Sequence, residues 1–127
     1  MLKLKYLVPV DKKKTESEIL VEAQINMGVE MVGLVQYERV LKTVSEWYAI
    51  DWMSLFGICK KSELAKAQRI CMFLLHKFGG LGYEEIAEIM RQKESINVVR
   101  KIDKVITELQ RDEELRNEVF GIVNRLK

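Results

Sequence analysis

The sequence predicts an all-α fold, a compact bundle of about six helices with a short N-terminal arm. Apolar residues recur at helical spacing along most of the chain. Residues 60–107 read as a long amphipathic helix, a short helix, a polar turn and a further helix. At 127 residues and 48% hydrophobic, the chain is long enough for one compact domain with a core and too short for two large ones.

Residues 1–14 are predicted to be an N-terminal arm or tail, and residues 15–127 a single helical domain. The arm carries Pro9 and three consecutive lysines at positions 12–14. Such basic arms touch phosphate in several DNA-binding families, whereas a short terminal charge cluster is more often simply solvated.

The first part of the domain is predicted to be a pair of supporting helices. Thr15 and Glu18 have the spacing of a capping box, so a helix begins at Thr15. We expect it to be interrupted near Gly28 or Gly33. The second helix covers residues 35–48, whose apolar side chains repeat at helical spacing.

The middle of the domain is predicted to hold the central helix. Asp51 caps a short helix that Gly57 ends. The longest helix covers residues 62–78, with Ser62 as its cap, and its broad apolar stripe indicates that it is the central helix of the bundle. The glycines of residues 79–82 allow a sharp reversal after it.

The next two helices and the turn between them have the layout of a helix-turn-helix. The first covers residues 83–90, and the second begins near Glu94 and ends near Leu109. A last helix, residues 112–126 within the C-terminal segment 110–127, either folds back on the domain or pairs with a second copy. The predicted buried residues of the helix-turn-helix are Ile86, Ala87, Met90, Val98, Ile102, Val105 and Leu109.

Composition restricts the possible functions. The formal net charge is only +2, so a basic surface must come from the arrangement of residues. No apolar run approaches the roughly 18 residues of a membrane span, and residues 1–10 lack the long apolar core and small-residue cleavage site that are typical of a signal peptide. We therefore expect a cytoplasmic protein without a membrane partner.

Catalytic and metal-binding patterns are not found. Cys59 and Cys71 lack metal-ligand spacing and are expected to be reduced structural thiols. His76, the only histidine, has no cysteine or serine at catalytic spacing. We therefore expect no enzyme activity, no metal and no cofactor.

Residues 91–104 are the candidate DNA-binding segment. Five Lys or Arg accompany two acids there, whereas residues 83–88 carry three acids and no base. Cationic side chains neutralise phosphates, and Asn or Ser near a helix N-terminus can reach base edges. A solvated helix with balanced salt bridges explains the same pattern, and on the residues alone both interpretations stay open. The candidates are Arg91, Lys93 and, on the outward face of the second helix, Ser95, Asn97, Arg100, Lys101 and Lys104.

Three blocks carry a resemblance to a known family: VLKTVSEWYAIDWMSLFG, KKSELAKAQRICMFLLHKFGGLGYEEIAEIM and KESINVVRKIDKV. Over residues 39–109 the chain is similar to the C-terminal DNA-binding domain of the bacterial replication initiator DnaA, a member of the Trp-repressor-like superfamily. The resemblance implies a Trp-repressor-like core at residues 35–109, double-stranded DNA as partner, and a possible homodimer. It also implies phosphate or minor-groove contacts by Lys60, Lys61, Lys66 and Arg69.

One block departs from the family pattern. Where the family typically has GGRDHTTV, this chain has RQKESINV at residues 91–98. It keeps a basic residue, an acid and Val98, but loses the paired glycines, the histidine and both threonines, to which the resemblance would assign base reading.

Our first hypothesis is a DNA-binding protein, specific or non-specific, such as a regulator of transcription or replication or a mobile-element protein. The alternative is a protein-interaction module that keeps the fold and has lost DNA binding.

Overall fold

The computed structural model describes residues 36–126, which form a bundle of five α-helices and one 3-10 turn. No strand occurs in this part of the chain, so the predicted all-α class is confirmed. The predicted arm and the predicted helix at Thr15 lie outside the described residues. The elements are α1 (Tyr37–Tyr48), the 3-10 turn (Trp52–Leu55), α2 (Ser62–Lys77), α3 (Tyr83–Ile89), α4 (Ser95–Arg111) and α5 (Glu113–Leu126).

Helix α2 is the centre of the bundle, as the apolar stripe predicted. It packs against α1, the 3-10 turn, α3 and α4. Because neighbours surround it, its buried residues lie on more than one face, and burial of each large apolar side chain stabilises the fold by about 2 kcal/mol. The buried residues of α2 are Ala67, Gln68, Ile70, Cys71, Met72, Phe73, Leu74 and Leu75.

Helix α5 folds back onto α1 and α4. Its apolar residues recur three or four positions apart and are buried, so this helix completes the core. The alternative that α5 pairs with a second copy stays a prediction. The buried residues are Leu115, Val119, Ile122, Val123 and Leu126.

The helix-turn-helix consists of α3, the turn at residues 90–94, and α4. All seven side chains predicted to be buried in this pair are at most 7% exposed, which confirms the predicted inward faces. His76 anchors the start of α3: its Nδ1 lies 2.9 Å from the carbonyl oxygen of Leu81, and its ring stacks on Tyr83 at 4.7 Å.

The predicted helix ends agree with the structure to within two residues: α1 begins at Tyr37 and not at residue 35, and α4 ends at Arg111 and not near Leu109. Asp51 caps the 3-10 turn by accepting a hydrogen bond from the N–H of Met53, and Gly57 follows the turn with a φ of +74°. Gly80, with a φ of +69°, reverses the chain after α2. The prediction that Ser62 caps α2 is wrong, because Lys61 already has the extended backbone of the N-cap and its side chain makes no capping bond. Among residues 36–126, no helix is long and apolar enough to cross a membrane.

Candidate nucleic-acid interface

The backbone of the turn between α3 and α4 determines the position and direction of the first residues of α4. The N–H of Gln92 donates to the carbonyl oxygen of Ala87 at 2.8 Å, and Arg91 takes a left-handed conformation with a φ of +57°. Glu94 is the N-cap of α4, and its side chain makes no capping bond. The N–H of Asn97 donates to the carbonyl oxygen of Glu94 at 3.1 Å, but no side chain of the cap residue covers the first backbone N–H groups of α4.

Six of the eleven predicted site residues are exposed cations. Arg100 and Lys104 lie one turn apart on the face of α4 opposite its buried stripe, with the exposed acid Asp103 beside them. Ser95 and Asn97 are partly exposed in the first turn of α4. The six exposed cations are Lys60, Lys61, Arg91, Lys93, Arg100 and Lys104.

Backbone contacts bring the basic segment at Lys60 and Lys61 close to the helix-turn-helix. The N–H of Gly57 donates to the carbonyl oxygen of Met90 at 2.8 Å. The side-chain amide of Gln92 donates to the carbonyl oxygen of Gly57 at 2.9 Å. Since three residues span at most about 11 Å, Lys60 lies within that distance of Gly57. The loop at Gly57 and the turn at residues 90–94, about 30 residues apart in sequence, therefore meet at one end of the bundle.

Two other predicted cations are held in ion pairs within the fold. The ammonium of Lys66 lies 3.2 Å from a carboxylate oxygen of Glu118. The guanidinium of Arg69 lies 3.7 Å from a carboxylate oxygen of Glu108, and only 16% of the Arg69 side chain is exposed. Their charges are thus balanced by acids on α5 and α4.

The prediction that Lys101 points outward is wrong. Its ammonium donates to the side-chain oxygens of Gln68 at 2.7 Å and Gln92 at 3.3 Å. The physical reason is helical geometry: position 101 lies only about 60° around the helix from Val98, so it faces α2 at the edge of the buried stripe. Burial lowers the pKa of Lys101; the nearby Cys59 opposes this effect, and the positive charge of Arg69 adds to it.

Two residues that the sequence interpretation did not single out, Gln68 and Gln92, connect the loop at Gly57 to the helix-turn-helix. Gln68 is completely buried, and its amide nitrogen donates to the carbonyl oxygens of Leu55 and Gly57. A polar residue within the apolar stripe of α2 was the available signal, because a buried amide requires hydrogen-bond partners. Its partners could not be read from the stripe itself.

The two cysteines and the metal-ligating side chains do not form a site in the described part of the chain. Cys71 is buried, and the thiol of Cys59 lies 3.4 Å from the carbonyl oxygen of Ser54. Both are free thiols, as predicted. Between residues 36 and 126, no group of three or more His, Cys, Asp or Glu could hold a metal ion.

Together, these elements define a helix-turn-helix domain with exposed cations around the turn and on α4. Comparison with known proteins finds relatives with one shared name. Over 89 residues the chain is 30% identical to the chromosomal replication initiator protein DnaA of Thermomicrobium roseum, with 70% of this chain and 19% of that protein aligned. The DnaA of Borrelia garinii subsp. bavariensis is 28% identical over 98 residues, or 77% of this chain and 20% of that protein.

A more distant relative, the DnaA of Gloeobacter violaceus, is 24% identical over 95 residues, or 75% of this chain and 22% of that protein. The chain therefore spans about a fifth of the length of these relatives. The part it matches is their C-terminal domain, which confirms the resemblance found in the sequence. No protein-family model and no solved structure matches the chain significantly.

Proposed function

We propose that this chain binds double-stranded DNA, with the start of α4 in the major groove and the basic segment at Lys60 and Lys61 on the phosphate backbone. The observation that carries the proposal is that six exposed cations lie on the helix-turn-helix or within four residues of Gly57, which is bonded to its turn. Likeness to the C-terminal domain of a chromosomal replication initiator supports it. On this basis we also propose a role in replication or its regulation.

In this binding mode the first turns of α4 read the bases. Asn97 can pair with adenine, and the guanidinium of Arg100 can bind either guanine or a phosphate. Ile96, which is 44% exposed between Ser95 and Asn97, can contact only apolar groups such as the methyl of thymine. Since the family pattern has histidine and threonines here, we propose that the chain prefers a different DNA sequence from the initiators it resembles.

A salt titration tests the proposal. The affinity of the purified chain for a random-sequence duplex is measured by fluorescence anisotropy at several KCl concentrations. We expect affinity to fall steeply with salt, and Arg100→Gln and Lys104→Gln each to weaken binding and reduce the slope of log K against log salt by about one. Arg125→Gln removes an exposed charge from α5 and serves as the matched control.

Two outcomes would refute DNA binding through this face. One is a folded wild-type chain with no affinity for duplex DNA at low salt. The other is binding that does not change in either α4 variant. Selection of bound sequences from a random pool then distinguishes specific from non-specific binding.

A protein-interaction module is the second candidate function, and a surface groove favours it. The groove, about 650 Å³ in volume, lies between α1, the 3-10 turn and the end of α3. Three large apolar side chains at or near it are 40–55% exposed: Tyr37, Trp52 and Met53. Capture of a stable protein partner that Trp52→Ala abolishes, together with no retention on DNA, would favour this candidate.

A further inference from the structure

We propose that Lys101 is a positioning residue whose ammonium holds the basic segment and the helix-turn-helix turn in one arrangement, so that they act as a single surface. For its consequence in DNA binding, this inference rests on the proposed function. For the arrangement itself, it rests only on the contacts described below.

The ammonium of Lys101 joins two glutamine side chains. It donates to the Oε1 atom of Gln68 on α2 and to the Oε1 atom of Gln92 in the turn. An ammonium group can only donate hydrogen bonds, so each amide must present its oxygen to Lys101. The orientation of both amides is therefore determined by one charge.

With their oxygens directed to Lys101, both amides present their N–H groups to the loop backbone. The Nε2 atom of Gln68 donates to the carbonyl oxygens of Leu55 at 2.7 Å and Gly57 at 2.8 Å. The Nε2 atom of Gln92 donates to the carbonyl oxygens of Gly57 at 2.9 Å and Met90 at 3.1 Å. Gly57 thus receives a bond from each amide, three residues before Lys60.

Loss of the ammonium would weaken the whole network. Gln68 is fully buried, so without Lys101 its Oε1 atom would lack a donor. An unpaired buried polar atom destabilises the fold, and rotation of the amide to pair it would place its oxygen against the carbonyl of Gly57. The N–H of Gly57 donates to the carbonyl oxygen of Met90, and we call this contact between the loop and the helix-turn-helix turn the joint. Hydrogen exchange at the Gly57 amide therefore reports whether the joint is intact.

The same contacts distinguish Lys101 from a residue that binds DNA directly, because they occupy its ammonium. At least two of its three N–H groups are occupied within the protein. Lys104, one turn further along α4, is exposed. Lys101→Met and Lys104→Met are therefore matched variants, since each removes one charge from the same helix and keeps a long unbranched side chain.

The first measurement is amide hydrogen exchange in the free proteins. We expect the Gly57 amide to exchange about tenfold faster in Lys101→Met and unchanged in Lys104→Met, while amides in the middle of α2 stay protected in both. Gln92→Leu removes one arm of the network and should give a smaller acceleration; it replaces Lys101→Met if that variant does not fold. Unchanged exchange at Gly57 would overturn the inference.

The second measurement is the salt dependence of DNA binding by the same variants. We expect Lys101→Met to weaken binding with the salt slope unchanged, and Lys104→Met to reduce the slope by about one. A reduced slope in Lys101→Met without faster exchange at Gly57 would make Lys101 a phosphate contact and refute its positioning role. If the wild-type chain binds no DNA, the proposed function fails, while hydrogen exchange still decides whether Lys101 holds the joint.

Discussion

The carboxylate of Glu118 on α5 joins Tyr48 on α1 to Lys66 on α2. One of its oxygens lies 3.2 Å from the ammonium of Lys66, and the other accepts a hydrogen bond from the hydroxyl of Tyr48. Burial, and then the hydrogen bond to Glu118, raise the pKa of Tyr48 well above its usual value. One carboxylate thus connects three helices.

Replacement of Glu118 by Gln should weaken the contacts that join α1, α2 and α5. A glutamine can accept one of the two bonds but loses the charge that attracts Lys66, so we expect a loss of about 1 kcal/mol in the free energy of unfolding. Urea denaturation measures it. Glu46→Gln, at an exposed position near the end of α1, is the control and should change stability little. Equal stability of the two variants would contradict the role assigned to Glu118.

Gly121 should not tolerate even a methyl group. A Cβ at this position would collide with the indole of Trp47, whose Cζ3 atom would lie only 3.1 Å away. Helix propensity alone favours Ala over Gly by about 1 kcal/mol, but the collision reverses the sign. We expect Gly121→Ala to lower stability by about 1–3 kcal/mol in thermal or urea unfolding. Asn124→Ala, exposed on the same helix, should be neutral or slightly stabilising; the same result for Gly121→Ala would refute the contact.

The two cysteines should differ in reactivity. Burial raises the pKa of the Cys71 thiol far above neutral, and the side chain is 0% exposed. Burial also raises the pKa of Cys59, but the nearby Lys101 opposes this effect and the residue is only partly buried. We expect iodoacetamide at about pH 8 to modify Cys59 in the native protein and Cys71 only after denaturation. Peptide mass mapping checks this; rapid native labelling of Cys71 would contradict its burial.

Ile96 should affect sequence preference rather than stability. Because its side chain is 44% exposed at the start of α4, Ile96→Ser should change the free energy of unfolding by less than about 0.5 kcal/mol. If α4 enters the major groove, the variant should lose preference for thymine at one position of the bound site. Selection from a random duplex pool, with Thr107→Ser on the same helix as control, measures the change. If the wild-type chain and Ile96→Ser select identical sequences, Ile96 does not contact the bases.

Local periodicity was enough to predict most of the framework. Val98, Ile102, Val105 and Leu109 repeat at three or four positions, and this spacing alone determines that they share one helix face. The glycines at positions 57 and 80 follow the ends of the 3-10 turn and α2 and turn the chain there, because a positive φ costs glycine little. These features depend on neighbours within a few residues, which the sequence displays directly.

The roles of the cations depended on residues far away in the chain. Lys66 and Lys101 look like solvated helix residues in sequence, yet their partners Glu118 and Gln68 are 52 and 33 positions away. An ion pair or an amide network forms only when separate helices cross, and helical spacing does not specify which helices meet. The sequence by itself determined the helices, their buried faces and the family resemblance. Only the tertiary structure decided which cations are exposed and which are held inside, because that choice depends on contacts between helices distant in sequence.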